Sequence, residues 1–146
     1  MKMKKLLLFL GIVFMFFSCL NYIPCRGQDY IIEEITHQDL IDKFKELRYN
    51  YPEYYTNQAD RINEEIPHYY LSLDLNGLII HCDIHIGNKI PEPPTHLTFT
   101  SFYDSTICQD INSKELDKEK NEKYKKRFET EILYKLGVKW KRKSCW

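Results

Sequence analysis

Histidine and carboxylate side chains are concentrated in one stretch of this chain, in a combination that can bind a metal ion. His81, Asp83 and His85 stand at alternate positions, and His68 and His96 lie on either side of them. Imidazole and carboxylate ligands together suit zinc and similar divalent ions, and a catalytic zinc site keeps three protein ligands and one open position. His68, Asp83, His85 and His96 are therefore candidate metal ligands, and a small metal-dependent hydrolase is one hypothesis for the function.

Other catalytic motifs are absent from the sequence, so a binding protein without a cofactor is the favoured hypothesis. The chain contains neither His-Glu-x-x-His nor Gly-x-Ser-x-Gly, and its five glycines form no phosphate-binding loop. Alternate side chains on a strand start roughly 7 Å apart, so His81, Asp83 and His85 need not converge on one ion. A histidine-rich surface that contacts a partner explains the same residues, with Tyr70 and His81 as candidate contacts.

A β-hairpin is the element that would position these side chains. Apolar and polar residues alternate on both sides of Asn76-Gly77, a pair preferred in type I′ turns because both central residues need a positive φ. A two-residue loop then pairs Leu71 with Cys82 and makes the core-facing pairs apolar. On the other face, the same register pairs His68 with His85, Tyr70 with Asp83, and Ser72 with His81.

A third strand is predicted over residues 96–103, where apolar and polar residues alternate again. If Phe99 faces Ile84, then Thr98 lies beside His85 and His96 lies one diagonal away. The polar face of the sheet would then carry four of the five histidines.

Helices are predicted before and after these strands. Thr36 and Asp39 form a capping box for a first helix, and a second, weaker helix is predicted over residues 53–65. Asn112 with Glu115 is the predicted start of a long final helix.

The remaining segments complete the predicted fold. Gly137 ends the final helix in the usual C-terminal position, residues 104–112 form a loop, and residues 138–146 can add a fourth strand. The predicted fold class is α+β, a small antiparallel sheet of three to four strands with helices packed on one face, in the order α(α)βββα(β).

The N-terminus has the pattern of an export signal. Lys2, Lys4 and Lys5 precede an uncharged apolar run over residues 6–17. A membrane-spanning helix needs about 20 apolar residues, so this run is short for an anchor. The pattern therefore assigns residues 1–18 to a bacterial signal peptide.

The end of this signal, Phe16-Phe17-Ser18-Cys19, resembles the lipobox of bacterial lipoproteins, which are cleaved before a cysteine that carries the lipid. The resemblance implies lipidation of Cys19 and attachment of the chain to a membrane of the cell envelope, in the outer membrane or periplasm. Residues 19–30 would then be a tether, and residues 31–146 a single α+β domain. Cleavage after Gly27 is the alternative, and it would give a soluble periplasmic or secreted protein.

The cysteines fit an exported protein, because disulfides persist in oxidising compartments. With Cys19 lipidated, Cys25, Cys82, Cys108 and Cys145 remain as an even set. A bridge from Cys145 to Cys108 or Cys82 would tie the C-terminal tail to the sheet. The alternative for Cys82 is a buried free thiol.

The C-terminal tail is a second candidate binding region. Lysine, arginine and tryptophan follow Glu131 with no further acid. Trp140, Lys141, Arg142 and Trp146 are candidate contacts to an anionic membrane surface, a glycan or an acidic protein. The alternative is a solvated strand edge, where lysine prevents unwanted pairing.

Net charge gives no reason to expect nucleic acid as a partner. The full chain carries 21 basic and 21 acidic residues, and removal of the three signal lysines leaves a net charge of −3. The sequence thus predicts an exported, lipid-anchored envelope protein that binds another protein or an envelope component without catalysis. An immunity-type protein that neutralises a toxin is the specific form of this hypothesis.

Overall fold

The computed structural model describes residues 27–63, 65, 67–86 and 92–144. The predicted signal peptide, Cys19, Cys145 and Trp146 lie outside the described residues. Within them, seven antiparallel strands form one sheet that curls into a half-barrel. The strands are β1 (Gln28–Ile32), β2 (Arg61–Asn63), β3 (His68–Leu75), β4 (Leu78–His85), β5 (Thr95–Tyr103), β6 (Cys108–Asp110) and β7 (Trp140–Arg142).

Two helices accompany the sheet in the described part of the chain. Helix α1 (His37–Asn50) follows β1 and is continued by a 3-10 turn at Pro52–Tyr54. The C-terminal helix begins with α2 (Lys118–Phe128), passes through a π-helical segment at Glu129–Leu133 and ends with one α-helical turn at Tyr134–Leu136. No helix of the described residues is both long enough and apolar enough to cross a membrane.

The predicted architecture, a small sheet of three to four strands with helices packed on one face, is wrong. The strands that the sequence did not indicate are β1, β2 and β6, which have only three to five residues each. So short a segment shows hardly any periodicity, and the strand to which it bonds decides its conformation. With these additional strands the sheet has seven strands in the described residues.

The sheet has the strand order β2-β3-β4-β5-β1-β7, with β6 off this path. One edge of β5 pairs with β4, and its other edge is shared between β1, at residues 95–99, and β6, at residues 101–103. The N-terminal strand therefore lies inside the sheet, between β5 and β7. Residues 28–30, which the sequence assigned to the tether, belong to this strand.

The hairpin of β3 and β4 has the predicted register. Leu71 pairs with Cys82 and His68 with His85, and Asn76 and Gly77 both have a positive φ in the turn. The predicted pairing of Phe99 with Ile84 is wrong, because Phe99 pairs with Cys82 next to a bulge in the ladder. A shift of two residues leaves each side chain on the same face, so the polar face keeps its predicted members.

The core is formed by the apolar face of the sheet and the inner sides of the helices. Phe128 of α2 contacts the rings of Tyr30 and Phe99, with ring centroids 5.5 and 5.1 Å apart. Phe44 of α1 is also fully buried in this core. The capping box of Thr36 and Asp39 that begins α1 is confirmed.

The C-terminal helix begins later than predicted. Asp117 caps it by accepting hydrogen bonds from the backbone of Glu119 and Lys120. Asn112, the predicted cap, instead has a φ of 65° and donates from its side chain to the Gly27 carbonyl at 2.7 Å. The predicted end is confirmed, because Gly137 takes the left-handed conformation there.

Two other local predictions are wrong, and one lies outside the described residues. The described part of residues 53–65 contains the end of the 3-10 turn and β2 rather than a helix, and β6 lies within the predicted loop of residues 104–112. Cys82 is buried, Cys108 is exposed, and both are free within the described residues. The predicted bridge to Cys145 lies outside them.

Candidate functional site

The polar face of β2 to β5, which we call the open face, carries two rows of side chains that run across the strands. In one row, Tyr70 is paired with both Arg61 and Asp83, and Asp83 is paired in turn with Thr98. In the other row, Asn63 is paired with His68 and His68 with His85, and His96 precedes Leu97, the partner of Ile84. The predicted site residues of the sheet are therefore brought onto one face.

A groove with a volume of about 810 Å³ lies on this open face. Its floor comes from β3, β4 and β5, and one wall comes from Gln58, Ala59, Glu65 and the three residues of β2. The polar residues that line it are Gln58, Arg61, Asn63, Glu65, Tyr70, Ser72, His81 and Thr100. A cleft with several convergent polar groups is the usual form of a ligand-binding site.

Within the groove, Ser72 connects the floor to the wall. The Ser72 Oγ lies 2.7 Å from His81 Nδ1 and 3.0 Å from Gln58 Oε1, so its hydroxyl can donate to only one of them at a time. Burial lowers the pKa of His81 below its ordinary value, which keeps this ring neutral at neutral pH. Ser72, His81 and Gln58 therefore offer uncharged hydrogen-bonding groups, beside the charged residues Arg61 and Glu65 of the same groove.

The wall of the groove is held by a buried ion pair, which we call the Asp60 clamp. Arg48 of α1 donates two hydrogen bonds to the Asp60 carboxylate, one of them at 2.7 Å, and the Tyr69 hydroxyl donates a further bond. Burial raises the pKa of Asp60, but the bonds from Arg48 and Tyr69 outweigh it and bring the pKa below its usual range. The clamp thus attaches the segment before β2 to the helix and to β3.

Asp83, His68 and His85 form a second hydrogen-bonded group beside the groove. His68 Nδ1 lies 2.7 and 2.6 Å from the two Asp83 carboxylate oxygens, and His68 Nε2 lies 3.2 Å from His85 Nδ1. Tyr70 stacks on the His68 ring at a centroid distance of 6.0 Å, which joins this group to the groove. Burial raises the pKa of Asp83, and the hydrogen bond from His68 opposes that shift.

Three of the four candidate metal ligands, His68, Asp83 and His85, are hydrogen-bonded to one another. Within residues 27–63, 65, 67–86 and 92–144, no three His, Cys, Asp or Glu side chains are arranged to hold a metal ion. His68, Asp83 and His85 instead form the bonded group above, with His96 on the neighbouring strand. Metal binding at these four residues stays a prediction.

Comparison with known proteins gives no relative. The chain matches no protein-family model, and no curated protein or solved structure is significantly similar to it. The site is therefore interpreted from its own geometry.

The predicted partner-binding residues lie in two separate regions. Tyr70 and His81 line the groove, whereas Trp140, Lys141 and Arg142 form β7 at the far end of the strand order. Trp140 packs against the Tyr30 ring at a centroid distance of 5.7 Å.

The cations of the tail are paired with acids of the same chain. Lys141 lies 3.0 Å from Glu33, and Arg142 lies 2.7 Å from Glu122 and also bonds to Glu129. Lys139 lies 2.9 Å from Glu34 in the same manner. The basic tail is therefore a partly neutralised strand edge.

Sequence reasoning missed the groove wall and its clamp. Arg48 lies four residues after Phe44 and thus on the apolar side of α1. An arginine on a core-facing position indicates a buried acidic partner, because a buried charge needs one. That signal identifies Arg48, but it does not identify Asp60 as the partner.

Proposed function

We propose that this protein is an exported, lipid-anchored envelope protein that binds another protein in the groove of the open face, without catalysis. The observation that carries the proposal is the groove itself, an open cleft of about 810 Å³ with polar groups on both floor and wall. Within the groove, the Ser72 hydroxyl can bond to either His81 or Gln58. A toxin-neutralising immunity protein is the specific form that we propose.

An extended segment of the partner suits the shape of this site. In the described residues β2 pairs with β3 alone, so the outer edge of β2 presents backbone groups to a further strand. Ile62 of β2 is 65% exposed, which is unusual for an isoleucine in a sheet and adds apolar area beside the polar groove. Addition of a strand to a sheet edge is a common mode of peptide recognition.

The proposed lipid anchor sets how far the site lies from the membrane. The resemblance to a lipobox supports a lipid on Cys19, and β1 begins at Gln28. A chain of residues 20–27 reaches at most about 29 Å even when fully extended. The proposed partner is therefore met close to the membrane surface or is itself a component of the envelope.

Photo-crosslinking in intact cells tests this function. A benzophenone amino acid in place of Ile62 should give one discrete crosslinked protein, because Ile62 is exposed on the edge strand β2, which borders the groove. The matched control is Tyr134, which is 81% exposed on the C-terminal helix and should give none. Equal crosslinking from both positions, or none from Ile62, would contradict the proposal.

A second measurement tests the anchor. Cells labelled with a palmitate analogue should incorporate the label into the full chain and lose it in Cys19→Ser. Labelling that persists in this variant would exclude Cys19 as the lipid site.

A further inference from the structure

We infer that the mature protein keeps Gly27, so that the export signal is removed upstream of this residue and not by hydrolysis of the Gly27–Gln28 bond. This inference rests on the proposal that the chain is exported, and it chooses between the two processing sites that the sequence leaves open. Three features of the fold support it: the close packing around Gly27, the hydrogen bond to its carbonyl group and the burial of the bond that would be cut.

Gly27 is buried against β5 at a place where a side chain would collide with the strand. A methyl group on its Cα atom would lie 2.6 Å from Thr98 Cγ2 and 2.9 Å from the carbonyl oxygen of Phe99. Phe99 is paired with Gln28 on one side and with Cys82 on the other, so its carbonyl group has little room to move. Gly27 thus belongs to the packed part of the fold, although the strand itself begins one residue later.

The carbonyl group of Gly27 has a hydrogen-bond partner in a distant loop. It accepts a bond from the Asn112 side chain at 2.7 Å. Asn112 is held in turn by Asn121 of α2, which donates to its side-chain oxygen at 3.0 Å and accepts from its backbone N–H at 3.2 Å. Loss of Gly27 would therefore remove the acceptor of the Asn112 amide and weaken the connection between β1 and the loop before the C-terminal helix.

The Gly27–Gln28 peptide bond joins two buried residues, and Gln28 is only 6% exposed. Hydrolysis of this bond would convert the backbone nitrogen of Gln28 into an amino group that is largely protonated at neutral pH. A charge in such a place lowers stability unless it is paired. The neighbouring acid, Asp29, already accepts a hydrogen bond from the Thr98 hydroxyl at 2.6 Å. A chain that begins at Gln28 should therefore fold less stably than one that retains Gly27.

Processing before Cys19 is compatible with all three features. It leaves residues 19–26 between the new chain end and Gly27. The packing against β5, the bond from Asn112 and the uncharged peptide nitrogen of Gln28 are then all retained. The fold therefore favours the upstream site for a reason that the sequence pattern of the signal does not contain.

The substitution Gly27→Ala tests the inference in the full chain, expressed with its own signal. Alanine is also small, so the variant keeps the residue pattern that cleavage after position 27 requires. We expect intact mass spectrometry to show a mature variant that is heavier than the unmodified mature protein by one methylene group. Equal masses would mean that residue 27 is removed and would overturn the inference, as would a mass that includes the whole signal.

The thermal midpoint of the purified mature proteins gives a second readout. Gly27→Ala should lower it by at least about 4 °C, because the added methyl group meets Thr98 and a backbone carbonyl. Thr98→Ser removes Cγ2 and keeps the hydroxyl that bonds to Asp29, so Gly27→Ala should lower the midpoint less in a Thr98→Ser chain than in the unmodified one. An unchanged midpoint in Gly27→Ala would overturn the inference, because mature proteins cleaved after residue 27 would be identical.

Failure of this inference is distinguishable from failure of the proposed function. Equal masses would place the start of the mature protein at Gln28 and would exclude a lipid on Cys19, but crosslinking through Ile62 would still report a partner in the groove. The heavier mass without palmitate labelling would keep Gly27 in the mature protein and overturn only the lipid anchor. The heavier mass without crosslinking would overturn only the groove as the place where the partner binds.

Discussion

The open face and the C-terminal tail, which contains β7, differ in the partners of their polar side chains. In the tail, Lys141 and Arg142 form ion pairs with acids of the same chain, so few unpaired charges remain to bind another molecule. On the open face, the buried Asp60 clamp fixes the wall, while Ser72 and His81 line an open groove. A run of charges in the sequence therefore says little about binding until the positions of the opposite charges are known.

Asp60→Asn removes the acid of the Asp60 clamp and should lower the free energy of unfolding more than any other substitution below. A small effect would contradict the difference between the open face and the tail. Asp60→Asn leaves Arg48 buried without its counter-charge, which typically lowers the free energy of unfolding by about 3 kcal/mol. Urea denaturation followed by circular dichroism measures this. A loss below about 1 kcal/mol would mean that the clamp resembles the exposed pairs of the tail.

The free energy of unfolding, measured as the pH is lowered, tests the same clamp through the pKa of Asp60. The pKa of Asp60 is lower in the folded protein than in the unfolded chain, so its contribution is fully present above the unfolded value near 3.9. The contribution is lost as the pH falls through the lower, folded pKa. We expect Asp60→Asn to flatten the stability profile below about pH 4, and an unchanged profile would argue against the ion pair.

Substitution inside the groove should have an intermediate effect. Ser72→Ala removes the hydroxyl that bonds to His81 or Gln58, and a lost side-chain hydrogen bond costs about 1 kcal/mol. Urea denaturation should show this loss, and crosslinking through Ile62 should weaken at the same time. Unchanged crosslinking would mean that the partner does not reach the floor of the groove.

Neutralisation of the tail should have a smaller effect. Lys141→Gln breaks an exposed pair whose two side chains are 60% and 43% exposed, so we expect a change of about 0.5 kcal/mol or less. Partner crosslinking should stay the same. A clear loss of crosslinking would indicate that the partner binds the tail rather than the open face.

Addition of zinc should have the smallest effect of all. His68, Asp83 and His85 satisfy one another through hydrogen bonds, so we expect the thermal midpoint of the protein to change by less than about 1 °C when zinc is added. Calorimetry with and without chelator measures this. A shift of several degrees that disappears in His85→Gln would favour the metal-dependent hydrolase.

The hairpin could be predicted from the sequence because its information is local. Eight residues on each side of Asn76 and Gly77 alternate in polarity, and the turn type fixes the register, so Tyr70 and His81 were placed on one face correctly. The register of β5 was missed by two residues because β4 and β5 are not joined by a two-residue turn that would fix their pairing.

The groove could not be predicted because its wall depends on distant contacts. β2 has three residues, and a segment that short follows the pairing offered by β3 and the clamp between Arg48 and Asp60. In the same way, the acids that neutralise the tail lie far from it in the sequence, Glu33 after β1 and Glu122 in α2. Such partners can be identified only from the folded structure.

The central claim is that the open face, and not the tail, meets the partner. The most direct test places the same photo-reactive amino acid at Tyr70 and at Lys141 in two otherwise identical full-length chains in intact cells. We predict a discrete crosslinked protein from Tyr70 and none from Lys141. Crosslinking from Lys141 with none from Tyr70 would contradict the account.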